Sequence, residues 1–308
     1  TPAEYFGSLE RAGVIVARVR LDRLRDSTPL YSGLWRLAIG WWSDPYDESP
    51  LRAALRARNG KADQRSLLVS DDGAGGWTSI VPASAGGELA VEVSGGLAHD
   101  IAASELRIAE WSSADDRLPP APRSEGSGIG SVDARYLTEG AIRAALLEGL
   151  AGAGDRDRVS LSAHALSDRR LIEGALGAAA RGARLEVLLD PAAAPNAAVA
   201  GELERESGSR IEVRWTSRAS PALLIVRRRG DLWASIGGAD FTRPSLGDFN
   251  LESALELRLP ASAAAARALD TWFAAAWAAA ARDRQLAQES AAAYWHYRLM
   301  QATALAPY

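Results

Sequence analysis

Residues 220 to 259, SPALLIVRRRGDLWASIGGADFTRPSLGDFNLESALELRL, admit few backbone arrangements. Leu223 to Val226 is a short apolar run, Gly230-Asp231 is a turn dipeptide, and Leu232 to Ile236 is a second run of strand formers, so the three read as a β-hairpin. Gly237 and Gly238 follow, where the missing side chain permits a sharp turn or a close approach, and Asp240 sits just beyond. A third strand runs on to Leu259. Residues 60 to 93, GKADQRSLLVSDDGAGGWTSIVPASAGGELAVEV, repeat this logic: a strand, a turn at Asp71-Asp72-Gly73, a strand and a loop. Two related hairpins in one chain predict an internal duplication.

The remaining chain divides around these hairpins. Tyr5 to Ala12 reads as a helix stopped by Gly13, and Val14 to Val19 as a strand. Leu34, Trp35, Leu37, Ala38 and the Trp41-Trp42 pair form one apolar helical face, which packs on a sheet or presents an aromatic patch to lipid. Ser112 to Arg135 is rich in Pro, Gly, Ser and charge and reads as a linker, 112–135, between a first unit, 1–111, and a second, 136–260. In the second unit Ile142 to Leu150 is a helix and Val159 to Ala163 a strand. Ser167 then caps a helix through Arg181 with Gly182 as its stop, and Leu185 to Leu189 is a strand ending at Asp190-Pro191. The tail, 261–308, is helical and Ala-rich, with Trp272, Trp277, Tyr294, Trp295 and Tyr297. It packs on the lobes or meets a membrane interface, and its face lacks the Lys/Arg complement of an interfacial helix.

Composition excludes some chemistry. A net charge of -4 and no basic stripe argue against a nucleic-acid partner. With no Cys there is no thiolate nucleophile or cysteine-ligated metal. The three histidines are His99 in a Gly-Ala-rich loop, His164 on a buried strand and His296 on the tail helix, and none has a partner at metal-ligand spacing, so no metal and no cofactor is expected. Basic residues are nearly all Arg, with Lys61 the single lysine. The chain opens at Thr1 without an initiator Met, so an upstream segment is expected.

The segments LLIV, GGADFTRPSL and FNLE, the stretch LSDRRLIEGALGAAARGARLEVLLDP and the ending YWHYRLMQATALAPY resemble the phospholipase D superfamily, in its bacterial cardiolipin synthase-like branch. The resemblance implies a mixed α/β (α+β) fold of two pseudo-repeated lobes, each a central mixed sheet flanked by helices, with the first lobe truncated and the former active site at the lobe interface. That family carries His-x-Lys-x4-Asp on each hairpin, then Gly-Ser-x-Asn and a downstream Glu. In register, Pro221 stands at the second His position, Leu223 at the Lys and Arg228 at the Asp, with Asp231 as a substitute carboxylate. Gly237 keeps the Gly, Gly238 replaces the Ser, Asp240 replaces the Asn, and Glu252 keeps the acid. In the first motif Gln64 replaces the His, Ser66 replaces the Lys, and Asp71 keeps the Asp.

By that resemblance, one His would attack phosphorus, the other would protonate the leaving group, and the lysines would hold the phosphate oxygens. Gln64, Pro221, Ser66 and Leu223 supply neither an imidazole nor a fixed positive charge, and no His-x-Lys occurs anywhere in the chain. The expectation is a non-catalytic protein that binds phospholipid or another phosphodiester ligand, or partners an active relative. The competing reading is an active phosphatidyltransferase or phosphodiesterase using other residues. Arg65 and Arg228 are the expected anion contacts, and Asp71, Asp231, Asp240 and Glu252 are read as structural.

Overall fold

The 60–93 pattern folds as an antiparallel sheet of β1 (Leu68–Asp71), β2 (Trp77–Pro82) and β3 (Ala90–Ser94), in that order. The computed structural model describes residues 2–17, 19–26, 33, 37, 62–71, 76–83, 89–112, 132–193, 195–216, 221–282 and 295. Ahead of this sheet lies α1 (Pro2–Arg11), and after it α2 (Gly96–Ser112), which packs against β2 and β3. His99 sits on α2 and not in a loop, with its ring edge-on to Trp77 at 5.8 Å. The strand expected at Val14 to Val19 does not form among the described residues. Val14 and Ile15 are 48% and 41% exposed, and an apolar run without a partner strand has nothing to satisfy its backbone as a ladder.

A seven-stranded mixed sheet comes entirely from residues 133–260. Its strands are β4 (Asp133–Thr138), β5 (Arg158–Ala163), β6 (Arg184–Leu189), β7 (Ile211–Trp215), β8 (Ala222–Arg227), β9 (Asp231–Gly237) and β10 (Ser253–Pro260). They lie in the order β4-β10-β9-β8-β5-β6-β7. Helices α4 (Arg169–Ala180) and α5 (Asn196–Glu206) return the chain so that β5, β6 and β7 run parallel. The β8–β9 connection is a tight turn: Arg228 N donates to Asp231 O at 3.0 Å, and Gly230 takes φ +91°, which a side chain would resist. β10 then pairs antiparallel with β9, and β4 with β10.

Strands covered on both faces need small or apolar residues at nearly every position: β8 is apolar from Ala222 to Val226, and β5 alternates Val159, Leu161 and Ala163 with the buried Ser160 and Ser162. On one face α4 and α3 (Gly140–Ala151) set Leu146, Leu150, Leu171 and Ile172 against Val159, Leu161, Leu224 and Val226. On the other, Leu223, Ile225, Ile236 and Leu255 meet Val81 and Ile101 of the small sheet and its helix, and Leu269 and Phe273 of α7 (Ala264–Ala279). Each such side chain contributes about 2 kcal/mol. The cap of α4 is Asp168, one residue beyond the expected Ser167: its Oδ1 accepts from Leu171 N at 3.1 Å.

Trp272 and Trp277 pack against this second core, and the Arg214 guanidinium lies 4.2 Å from the Trp277 ring centroid. Apart from Leu37, the aromatic face from Leu34 to Trp42 lies outside the described residues, as do Asp72, Gly73, most of the linker, Tyr294, His296 and Tyr297. No described helix is long and apolar enough to cross a membrane.

Candidate functional site

Because β8 and β10 run against β5 and β9, the C-terminal ends of β5, β6 and β9 share one end of the sheet with the N-terminal ends of β8 and β10. Pro221, Gly237, Gly238, Asp240 and Glu252 are gathered there by strand register alone. The first-motif segment joins them through the loop after α6 (Arg243–Leu246). Asp63 bridges to Leu251, and Gln64 N donates to Leu251 O at 3.0 Å, while Leu251 N donates to Ala62 O at 3.0 Å. Ala62 N donates to Asn250 Oδ1 at 2.9 Å, and Ser245 Oγ donates to Gln64 Oε1 at 3.4 Å. Gln64 is thus placed beside Gly238, Ser245 and Leu251, 174 or more residues away in the chain, counting to Gly238.

Closeness explains the glycines. A Cβ on Gly237 would stand 2.3 Å from Ser253 O, and one on Gly238 would stand 3.0 Å from Gln64 O. A serine at 238 therefore presses on the Gln64 backbone. We expect Gly238→Ser to cost about 1 to 2 kcal/mol and to speed amide exchange at Gln64, whose N–H bond to Leu251 depends on that approach. Unchanged exchange at Gln64 would contradict this contact.

The other positions expected from the resemblance fall elsewhere. Arg228 and Asp231 lie at the opposite end of the β8–β9 hairpin, and Asp71 ends β1 opposite Trp77. Ser66 is exposed. Strand alternation sends Arg227 to Asp270 of α7 on one face and Arg228 to Gly149 O of α3, at 3.4 Å, on the other. Arg65 has a side chain only 2% exposed, bonded to Asp63 at 3.0 Å and Glu105 at 3.0 Å. Burial lowers its pKa, but its bond to Asp63 and the Glu105 charge outweigh that and raise it. The expected joining of Arg65 with Arg228 at one anion site is corrected by this geometry. The two occupy opposite faces and ends of the sheet, each already bonded to the protein.

Leu223 is 0% exposed and lies in the core between the seven-stranded sheet and the small sheet. Glu252 is also 0% exposed, and no hydrogen bond of ordinary geometry reaches either carboxyl oxygen. Burial pushes its pKa up to about 8, with the Asp240 charge adding to the rise, although the nearby Ser245 and Asn250 side chains favour the charged form. Glu252 is therefore mostly protonated at pH 7. Burial also raises the Asp240 pKa, against the pull of His164 and a hydrogen bond from the Ala165 backbone.

His164 was expected on a buried strand. It stands instead just beyond β5, with its side chain 52% exposed and Nδ1 3.0 Å from Asp190 Oδ2. Asp190 is itself held by the turn after β6, its Oδ1 accepting from Ala192 N at 2.8 Å. Neither residue carries a motif signature, and only the parallel register of Ala163 with Leu189 brings them side by side. Among the described residues no group of three His, Asp or Glu side chains is arranged to hold a metal ion.

No family model matches the chain, and no curated protein matches it. Among solved structures it is similar to Nuc, a phospholipase D family member from Salmonella typhimurium, at 18% identity over 50% of this chain and 98% of that one, with a TM-score of 0.40. It is similar to phosphatidylserine synthase from Haemophilus influenzae Rd KW20 at 10% identity, 61% and 49% coverage and a TM-score of 0.40. Polyphosphate kinase from Porphyromonas gingivalis is similar at 13% identity, 84% and 43% coverage and a TM-score of 0.47. Likenesses of this size assign no residue a role.

Proposed function

We propose that the chain is a phospholipase D-like protein that binds a phosphate-bearing ligand, such as a phospholipid, without cleaving it, alone or as the silent partner of an active relative. The observation that carries this reading is the set of side chains at the four reactive positions: Gln64, Ser66, Pro221 and the fully buried Leu223. None can act as the nucleophile, the proton donor or the phosphate clamp of a phosphodiester transfer. The neighbouring Glu252 and Asp240 add carboxyl groups where such a reaction needs positive charge.

Phosphorus NMR of mixed phosphatidylglycerol and cardiolipin vesicles incubated with the protein tests it. The expected spectrum does not change with time, and conversion of either lipid overturns the reading. One observation favours the competing, enzymatic reading: the half-exposed His164 is oriented by Asp190 beside Asp240, an arrangement suited to moving a proton. Under that reading turnover is present and is lost in His164→Ala. In Asp190→Asn it falls with an altered pH profile.

A further inference from the structure

Three guanidinium groups converge around Phe249, in the loop after α6. The Arg25 and Arg243 Cζ atoms each lie 5.4 Å from the Phe249 ring centroid. Arg143, from the first turn of α3, reaches Asp168 Oδ2 at 3.0 Å, and its Nε is buried with no hydrogen-bond partner. Gly247 makes the room: a Cβ there would stand 2.9 Å from Arg143 Nη2 and 2.9 Å from Phe249 Cε2.

The charges do not balance. Asp168 gives one oxygen to Arg143 and the other to the Leu171 N–H as the cap of α4. Arg25 and Arg243 have no carboxylate partner among the described residues. Burial, then the charges of Arg143 and Arg25, lower the Arg243 pKa, with Asp168 opposing. Arg143 and Arg243 are partly buried and Arg25 is exposed beside them; like charges held together repel, and an anion between them relieves the repulsion. Asp168 is the one carboxylate bonded to any of the three among the described residues, and the neighbouring Asp248 is taken up by the Gly140 N–H, so the positive charge in excess suits a phosphate group. A guanidinium whose face rests on an aromatic ring keeps its N–H edge free for the bidentate bonding that phosphate oxygens accept.

We infer that Arg25, Arg143 and Arg243 around Phe249 form a binding site for a phosphate group, carried on a lipid headgroup or free in solution. The inference rests on the reading of this chain as a binder of phosphate-bearing ligands, and it moves the contact away from Arg65 and Arg228. The site is built from three separate segments, so no local motif announces it.

The test is calorimetric titration with inorganic phosphate, together with co-sedimentation on phosphatidylcholine vesicles with and without phosphatidylglycerol. The wild-type chain is compared with Arg25→Ala, Arg243→Ala and the double variant. Each single change is expected to weaken binding about tenfold, and the double change to abolish it, as loss of a charge-assisted contact implies. Among the described residues neither side chain holds a hydrogen bond, so the melting temperature without phosphate should stay the same or rise as repulsion falls. Binding of inorganic phosphate identifies the free anion as sufficient, whereas binding of phosphatidylglycerol vesicles alone identifies the headgroup. Either supports the site if the double variant loses it.

Wild-type binding that survives in the double variant overturns the site and leaves the binding function standing. A wild-type chain that binds neither probe overturns the site as well. Phosphodiester conversion in the same samples, read by phosphorus NMR, overturns the non-cleaving reading instead and leaves the site to be judged by its variants.

Discussion

Glu252→Gln is expected to remove a large part of the stability that this protein loses between pH 4.5 and about 8. In the folded chain the Glu252 pKa is pushed from 4.5 up to about 8 by burial. Below pH 4.5 the side chain is protonated whether the chain is folded or not, and it costs nothing. As pH rises through the window from 4.5 to about 8, the unfolded chain releases the proton while the folded chain keeps it, so stability falls. Above about 8 the loss is complete. At about 1.4 kcal/mol per pH unit it reaches the order of 5 kcal/mol.

The raised pKa values of Asp240, Glu105 and Glu139, each driven first by burial, act in the same direction. Gln keeps the shape of Glu and removes the titration, while its buried amide adds a cost that does not vary with pH. Urea denaturation midpoints across pH 5 to 9 are the measurement. The wild-type midpoint should drop steeply and the Glu252→Gln midpoint much less, so that the two separate with rising pH. Parallel curves would show that Glu252 ionises freely in the folded chain.

Leu223→Lys is expected to destabilise the fold by at least about 4 kcal/mol. Leu223 is 0% exposed and belongs to a core that includes Val81, Ile101, Ile225 and Ile236. A lysine there must bury its ammonium group or give up the proton, and its longer stem also overfills the space. Leu223→Met, with similar volume and no charge, should cost less than about 1.5 kcal/mol and so separates charge burial from packing. Wild-type stability in the lysine variant would mean that the side chain reaches a carboxylate or solvent from this position.

Much of the second half of the fold was legible locally. The alternating segment at 159–163 and the largely apolar runs at 185–189 and 223–226 are short, and each lies within an observed strand. The hairpin at Gly230-Asp231 was legible for the same reason, since a turn dipeptide acts over only a few residues. The Val14 to Val19 run failed because strand formation needs a partner, which a local pattern does not contain. The helix cap was displaced from Ser167 to Asp168 because both side chains can serve and the backbone path selects between them.

The candidate site was legible only in part. Pro221, Gly237, Gly238, Asp240 and Glu252 follow one another along a single hairpin and its return strand, so their meeting follows from the local pattern. His164 with Asp190, and Arg25 with Arg143 and Arg243, are joined by no spacing. His164 and Asp190 meet at parallel strand ends, and Arg143 and Arg243, near two helix starts, meet Arg25 of a distant irregular segment around Phe249.

By itself the amino-acid order determined the strands of the second half, the hairpin turn at Gly230-Asp231 and the absence of any His-x-Lys in the chain. These depend on residue type and on neighbours within a few positions. The tertiary structure alone decided that Arg65 is neutralised by Asp63 and Glu105, that Leu223 is core, that Glu252 is sealed from water and held protonated, and that three arginines face one another around Phe249. Charge state and ligand affinity depend on burial and on the distance between groups, and those are set only when remote segments pack together.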